Sequence, residues 1–229
     1  MNFELTIRAA LFDMDGVLFD SMPNHAYSWS HAMKQFGLTM TAEEAYLNEG
    51  RTGSGTINIL AQRNWGRDAT EEEIQRIYCA KSEVFNAQPK AKPMPGALEA
   101  LTAAKEKGLT IVLVTGSAQA SLLDRLEMHY PGFFHEDLMV TGFDVKHGKP
   151  HPEPYLMGLK KAGVSAEQAV VIENAPLGVQ AGHDAGIFTI AANTGPLSDQ
   201  ILREAGADLV LPNMQAVADW FQTLPSLPL

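Results

Sequence analysis

The stretch Ala9-Ala10-Leu11-Phe12-Asp13-Met14-Asp15-Gly16-Val17-Leu18 decides the fold of this chain. Four apolar residues end at two aspartates spaced i, i+2, and a glycine and two more apolar residues follow. Short apolar runs bounded by turn residues are typical of buried strands, and open α/β sheets bind ligands at the carboxyl ends of their strands. Two carboxylates this close repel each other unless a cation lies between them or one keeps its proton. The pattern predicts a Mg²⁺ site with a nucleophilic carboxylate and a separate acid/base carboxylate.

The aspartate pair has two other interpretations. On its own, Asp-x-Asp-Gly is most often a solvated turn, and the same residues open a calcium-binding EF-hand loop. That loop needs glycine at its sixth position and glutamate at its twelfth. Those positions hold Leu18 and Asn24, so the calcium interpretation fails.

Composition narrows the class of protein. With 229 residues and 45% hydrophobic content, the chain can bury one sizeable core, with or without an insertion. A formal net charge of −10 argues against nucleic acid and anionic membranes as partners. Cys79 is the only cysteine and can form no internal disulfide. Residues 1–10 do not resemble a signal peptide, and no apolar stretch approaches the ~20 residues of a membrane span. We therefore expect a soluble cytoplasmic protein, and a monomer.

Strand patterns alternate with helical patterns along most of the chain. After the first strand, strands are predicted at Leu109–Thr115, Leu138–Thr141, Ala169–Glu173, Phe188–Ala192 and Asp208–Leu211. Helices are predicted at Gly96–Lys107, Gln119–His129, Glu153–Ala162, Leu177–Ala185 and Asp199–Ala205. Such alternation indicates βαβ units around a parallel sheet.

Residues 22–88 contain helical patterns and no convincing strand. The helices are predicted at Asn24–Phe36, Ala42–Asn48, Gly55–Gln62 and Glu71–Asn86. We expect an α/β fold: a Rossmann-like parallel sheet core, residues 1–21 and 89–229, with an inserted α-helical cap domain, residues 22–88, over the carboxyl edge of the sheet. Prolines and a glycine near residues 89–96 suit a hinge.

Polar residues also follow three later strands or loops: Thr115-Gly116-Ser117, Lys149 in Gly148-Lys149-Pro150, and Glu173-Asn174. Backbone N–H groups at a helix start, with a threonine hydroxyl, can bind phosphate. The lysine could neutralise the nucleophile and a phosphate oxygen, and glutamate and asparagine offer hard oxygen ligands for Mg²⁺. Taken singly, each is as well explained by a helix cap or a solvated loop lysine.

The cap contains a glycine-rich stretch, Glu49-Gly50-Arg51-Thr52-Gly53-Ser54-Gly55-Thr56. It lacks the lysine and the preceding strand of a nucleotide-binding P-loop, so a mobile loop facing the site is the better interpretation, with Arg51 as a candidate substrate ligand. The seven histidines match no zinc spacing such as His-Glu-x-x-His. His25 begins the first cap helix near the aspartates and is a further candidate for substrate binding.

Asp-x-Asp-Gly-Val, Thr-Gly-Ser, Lys-Pro and Glu-Asn, in this order, resemble the motifs of the haloacid dehalogenase superfamily across nearly the whole chain. The helical insertion resembles its β-phosphoglucomutase branch. The stretches Glu49-Gly-Arg-Thr-Gly, Val114-Thr-Gly-Ser, Phe143-Asp-Val-Lys and Ile172-Glu-Asn-Ala-Pro-Leu-Gly-Val are similar to those of inorganic pyrophosphatases within it.

The resemblance implies a role for each motif residue. Asp13 would be the nucleophile that forms an aspartyl-phosphate. Asp15 would protonate the leaving group and then deprotonate the attacking water. Thr115 and Lys149 would hold the transferring phosphoryl group, with the backbone around Gly116 and Ser117.

The resemblance also implies a metal site and a substrate class. Mg²⁺ would be bound by Asp13, the Asp15 carbonyl and Asn174, with Glu173 as support. The family commonly has aspartate where this chain has Asn174, and Glu49 in the cap could restore the missing charge. A cap carboxylate at the metal would shrink the pocket, which favours hydrolysis of pyrophosphate. The alternatives are a β-phosphoglucomutase or small sugar-phosphate phosphatase and, in another class, a non-catalytic phosphate-binding protein.

Overall fold

The computed structural model describes residues 7–116 and 125–226. Within these ranges the strands are β1 (Ala9–Phe12), β2 (Thr110–Val114), β3 (Met139–Val140), β4 (Ala169–Glu173), β5 (Phe188–Ala192) and β6 (Leu209–Leu211). They form one parallel sheet in the order β3-β2-β1-β4-β5-β6. The predicted α/β fold with a parallel sheet is confirmed.

The described helices fall into two sets. The first set lies between β1 and β2 and comprises α1 (Met22–Lys34), α2 (Ala42–Leu47), α3 (Gly53–Trp65) and α4 (Glu71–Asn86). The second set flanks the sheet and comprises α5 (Ala97–Glu106), α6 (Leu126–His129), α7 (Glu153–Ala162), α8 (Pro176–Asp184), α9 (Asp199–Glu204) and α10 (Met214–Thr223). None of the helices in the described ranges is both long and apolar enough to cross a membrane.

Both faces of the sheet are covered by apolar side chains. Along β1, Ala10 and Phe12 belong to one hydrophobic cluster, and Ala9 and Leu11 belong to the cluster on the opposite face. All four residues are buried because helices cover each face. This explains why the strand is continuously apolar in sequence instead of alternating apolar with polar residues.

Helices α1–α4 pack around a third hydrophobic cluster of their own, which includes Trp29, Met33, Ile57 and Ile77. Threonines accept hydrogen bonds from backbone N–H groups at the starts of α2, α3 and α4, so these helix ends are satisfied locally. A helical segment with its own apolar cluster corresponds to the predicted cap. Its boundaries at residues 22 and 88 stay a prediction.

Two helices differ from the sequence-based predictions. The predicted helix Gln119–His129 is described only from Leu126, because residues 117–124 lie outside the described ranges. Helix α10 was not predicted. Its buried residues Met214, Val217, Ala218 and Phe221 follow the i, i+3, i+4, i+7 spacing of an amphipathic helix.

Candidate active site

The sheet register brings the predicted strand-end residues together. Phe12 of β1 lies opposite Leu113 of β2 and Ile172 of β4, so all three strands reach their carboxyl ends at the same level. The backbone N–H of Asp13 donates to the carbonyl of Ile172 at 3.0 Å. The side chains that follow these strands therefore meet at one edge of the sheet, although they are far apart in sequence.

A buried lysine connects all three of these strand ends. The Lys149 ammonium donates to Asp13 Oδ1, to Glu173 Oε1, and to the carbonyl of Val114 at 3.2 Å. Burial alone would lower the pKa of Lys149, but the two carboxylates outweigh it and the pKa is raised, so this side chain is charged. Burial raises the pKa of Asp13 well above its ordinary value, and Lys149 opposes that rise.

Glu173 holds the lysine in place. Its Oε1 accepts from Lys149 and, at 2.7 Å, from the hydroxyl of Tyr155 on α7. Its Oε2 accepts from the backbone N–H groups of Asn174 and Ala175 at 3.0 and 3.3 Å. Both carboxylate oxygens are thus engaged by protein donors, which fits a supporting position beside a metal.

Asp15 begins a chain of hydrogen bonds that leads into the cap. Its Oδ1 accepts from Ser21 Oγ at 2.5 Å and lies 3.2 Å from Nε2 of His25. Nδ1 of His25 lies 2.9 Å from the ammonium of Lys81 on α4. With Lys81 donating to Nδ1, the neutral His25 ring carries its proton on Nε2 and donates it to Asp15.

The pKa values along this chain follow from burial and charge. Burial would raise the pKa of Asp15, but His25, Ser21 and Lys81 together outweigh it and the pKa is lowered. Burial and the charge of Lys81 lower the pKa of His25, so the ring is neutral at pH 7. Burial lowers the pKa of Lys81 to about 8.

Glu49 of the cap reaches the core at Asn174. The Asn174 side-chain amide donates to Glu49 Oε2 at 3.1 Å. Burial raises the pKa of Glu49 well above its ordinary value, and the nearby carboxylates of Asp13, Glu173 and Asp15 add to the rise. Glu49, the cap residue that was predicted to restore the missing charge, therefore lies in hydrogen-bond contact with Asn174.

Two buried oxygens at this contact have no hydrogen-bond partner among the described residues: Glu49 Oε1 and Asn174 Oδ1. An unsatisfied buried acceptor is costly unless a donor or a cation meets it. With the Asp13 carboxylate they form a set of hard oxygen donors, which is what Mg²⁺ prefers. The residues present fit that ion.

Three glycines allow the cap loop to approach the core closely. A Cβ at Gly116 would lie 2.8 Å from the carbonyl oxygen of Gly50, and a Cβ at Gly148 would lie 2.6 Å from Thr52 Cγ2. Gly50 itself has a φ of +83° and faces the Lys149 side chain. The loop between α2 and α3 thus packs on both loops that were predicted to bind phosphate.

A cavity that is partly open to solvent lies between this loop and the sheet edge. Seven of the predicted site residues line it: Asp13, Asp15, His25, Glu49, Arg51, Thr115 and Gly116. Lys149 contacts Asp13 and Asn174 contacts Glu49, and Glu173 contacts Lys149 in turn. Ser117 lies outside the described residues.

Lys81 and Tyr155 were not predicted as site residues. Lys81 is 2% exposed and lies within 5.3 Å of the ring centroid of Trp29. A signal for it exists in the sequence, because Ile77, Lys81 and Phe85 form the buried i, i+4, i+8 stripe of α4. A lysine in an otherwise apolar stripe is a buried charge that needs partners. The sequence around Tyr155 carries no comparable signal, because its aromatic ring fits an apolar stretch.

Comparison with known proteins agrees with this geometry. The family described as haloacid dehalogenase-like hydrolase matches residues 10–192. The chain belongs to this family. This haloacid dehalogenase-like hydrolase is 34% identical to a phosphorylated carbohydrates phosphatase of Thermotoga maritima, over 88% of the chain and 92% of the relative. It is 29% identical to hexitol phosphatase A of Escherichia coli, over 90% of the chain and 91% of the relative.

Among solved structures, one described as "Putative beta-phosphoglucomutase from Bacteroides vulgatus" is 59% identical to the chain. It superposes with a TM-score of 0.93 over 97% of the chain and 90% of that structure. A β-phosphoglucomutase of Clostridium difficile, 22% identical, superposes with a TM-score of 0.76 over 92% of each chain, which shows the shared fold alone.

Proposed function

We propose that the protein is a Mg²⁺-dependent phosphohydrolase that acts through an aspartyl-phosphate on Asp13. The observation that carries this proposal is the contact between the Asp13 carboxylate and the buried Lys149 ammonium, beside a second carboxylate at Asp15. A protein that only binds phosphate needs a cation such as the Lys149 ammonium, but it does not need two adjacent carboxylates at the cavity floor.

The chain's own residues account for each proton and bond in the reaction. A carboxylate oxygen of Asp13 attacks phosphorus and the bond to the leaving oxygen breaks, with Asp15 giving that oxygen a proton when it needs one. Asp15 then takes a proton from water as the water oxygen attacks phosphorus, which releases phosphate and restores Asp13. Lys149 stays beside Asp13 and offsets the negative charge that gathers there.

Asp13 and Asn174, with Glu49 from the cap and the Asp15 carbonyl, would hold Mg²⁺. The ion would neutralise phosphoryl oxygens and lower the pKa values that burial raises. Glu173, whose oxygens are already hydrogen-bonded, would support the site by holding Lys149.

Pyrophosphate is the substrate that we propose. The cap carboxylate of Glu49 tethers the lid at Asn174, which suits a short substrate. Lys81 and Arg51 line the cavity, and the Lys149 ammonium contacts Asp13 beside it. These three cationic side chains would attract a dianionic or more highly charged ligand. The lowered pKa of Asp15 makes it a poor proton donor, and phosphate leaves with less help from an acid than an alkoxide does.

A sugar-phosphate phosphatase is the second candidate. The names of two relatives mention phosphorylated carbohydrates and hexitol. Aromatic side chains of Trp29 and Tyr78 line the cavity, and such surfaces can pack on a sugar. A β-phosphoglucomutase would share the first half-reaction and pass the phosphoryl group to a sugar hydroxyl.

The experiment compares kcat/KM for pyrophosphate, several hexose and hexitol phosphates and β-glucose 1-phosphate, with Mg²⁺ present and after its removal by a chelator. We expect phosphate release from pyrophosphate to be the fastest, and to require Mg²⁺. Asp13→Asn should lower turnover of every substrate by several powers of ten, because the nucleophile is lost. The control Asp20→Asn changes an exposed carboxylate and should keep full activity. Faster hydrolysis of a sugar phosphate would select the second candidate, and an active Asp13→Asn would refute the covalent mechanism.

A further inference from the structure

A cluster of two histidines and a glutamate lies outside the site described above, on the loop that carries Lys149. Nitrogen atoms of His147 and His151 and a carboxylate oxygen of Glu153 all lie within 4.8 Å of one another. This is the one group of three or more such ligands found among the described residues. We propose that it is a binding site for a zinc-class divalent cation, separate from the Mg²⁺ site.

The distances are close to those that a tetrahedral ion needs. Nδ1 of His147 lies 2.8 Å from Glu153 Oε2, and Nδ1 of His151 lies 4.0 Å from the same oxygen. With zinc–ligand bonds of about 2.0–2.1 Å, two ligands of a tetrahedral ion are about 3.3 Å apart. Binding would lengthen the separation between His147 and Glu153 and shorten that between His151 and Glu153, each by less than an ångström. The imidazole rings already lie near each other, with centroids 4.7 Å apart.

The cluster is held by backbone contacts before any ion binds. Glu153 Oε1 accepts from the N–H of Lys146 at 2.9 Å, and its Oε2 accepts from the N–H of His147 at 3.1 Å. The N–H of Glu153 in turn donates to Nδ1 of His151 at 3.1 Å. The Nδ1 lone pair of His151 must leave that bond to coordinate an ion, whereas the Glu153 carboxylate is already held beside both rings. The glutamate is therefore the ligand that is oriented in advance, which lowers the entropic cost of binding an ion.

The ligand types select the class of cation. Imidazole nitrogen suits zinc, copper, nickel and cobalt, whereas Mg²⁺ prefers carboxylate, carbonyl and water oxygen. Both histidines are exposed and the glutamate is half-buried, so an ion can enter and water can complete its coordination. No zinc motif is evident in the sequence, because it is the fold of residues 147–153 that brings the three side chains together.

Binding at this cluster would fasten a functional loop. His147 and His151 flank Lys149, and Gly148 between them packs against Thr52 of the cap. An ion bound to both histidines and to Glu153 would tie both sides of the lysine to the first turn of α7. Because an imidazole nitrogen binds a metal only when it carries no proton, binding at this cluster should weaken as the pH falls.

The test uses Co²⁺ as a spectroscopic substitute for zinc. Metal-stripped protein is saturated with Mg²⁺ to fill the oxygen site and is then titrated with Co²⁺. We expect one equivalent to give the intense visible absorption of four-coordinate cobalt with nitrogen ligands, and one equivalent of Zn²⁺ to abolish it. Asp13→Asn should keep the signal, which separates this cluster from the catalytic site.

The double variant His147→Asn/His151→Asn should lose the signal, and Glu153→Gln should weaken it. The matched control His135→Asn changes another exposed histidine and should bind Co²⁺ as the unaltered chain does. Retained Mg²⁺-dependent hydrolysis by the double variant shows that it is folded. The proposal is overturned if the unaltered chain gives no four-coordinate signal under these conditions. It is equally overturned if the double variant keeps the signal, or if Asp13→Asn removes it.

Discussion

Charge balance around single residues favours the binding of a cation at this site. Four carboxylates lie close together around the cavity: Asp13, Asp15, Glu49 and Glu173. The Lys149 ammonium contacts two of them, Asp13 and Glu173. Without further positive charge, burial and mutual repulsion raise the pKa values of Asp13 and Glu49. A divalent ion reverses that effect, so metal binding and ionisation of the nucleophile are coupled. Protons should therefore leave the site as Mg²⁺ binds.

The buried side chain of Lys81 should set an upper pH limit on activity. Burial lowers its pKa to about 8 from an ordinary value of 10.5, with Asp15 acting against the fall. Between pH 8 and pH 10.5 the Lys81 side chain is mostly neutral in the folded chain and mostly protonated in the unfolded chain. Its contribution to the free energy of unfolding therefore rises with pH in this range. Activity should change in the opposite sense, because above pH 8 the site loses a cation that attracts an anionic substrate. We expect kcat/KM to fall through pH 8.

The measurement is a pH profile of kcat/KM for the unaltered chain and Lys81→Arg. Arginine stays charged at all these pH values, so Lys81→Arg should move the falling limb upward in pH even if its maximal rate is lower. Lys34→Arg, on the exposed side of α1, should leave the limb where it is. An identical limb in all three proteins would assign that titration to another group.

At the scale of elements, the loop between α2 and α3 joins the cap to the residues that we propose to bind the metal. Glu49 and Gly50 in this loop contact Asn174 and the Lys149 side chain, respectively. Gly116 on the core comes equally close to Gly50. One short loop thus touches three of the four strand-end motifs, so a change in the cap can alter both metal affinity and access to the cavity.

Glu49→Ala should weaken the site through this loop. Losing a metal ligand or its support commonly costs about 10–100-fold in metal affinity or activity. The double variant Glu49→Ala/Asn174→Asp returns the negative charge but not the tether. We expect it to recover Mg²⁺ affinity, measured by calorimetry, without recovering the preference for pyrophosphate. Glu43→Ala, an exposed glutamate of α2, is the matched control. Unchanged metal dependence in Glu49→Ala would make Glu49 an ordinary cap residue.

Elements with a strong local pattern were predictable, and their long-range contacts were not. The apolar run ending at Asp13 was enough to place the first strand at the sheet edge. The partners of Lys81 lie 56 and 66 positions away in the chain, at His25 and Asp15, and no local pattern connects them. The supporting role of Tyr155 likewise depends on how α7 packs against β4. Packing across elements is therefore the part of the site that requires a structure.

At the scale of the whole molecule, the sheet and the cap have separate hydrophobic clusters. The cap cluster contains Trp29 and Ile57, whereas Phe12 and Phe221 belong to a cluster on one face of the sheet. Phe85 of α4 belongs instead to the cluster on the sheet face, so this cap helix also packs on the core.

Helix α10 should contribute to stability and not to catalysis. Phe221 is fully buried, and its ring lies 6.0 Å from that of Phe12, the residue before Asp13. Phe221→Ala should destabilise the fold by about 3–5 kcal/mol, because it leaves a cavity in the core. At this chain length that corresponds to a fall in Tm of about 6–20 °C. Thermal unfolding measures the loss, with the exposed Gln222→Ala as control. The rate per folded molecule at 25 °C should be unchanged, since the Asp13 carboxylate is positioned by β-sheet hydrogen bonds and by Lys149. A large fall in kcat with the fold intact would instead show that packing behind β1 positions the nucleophile.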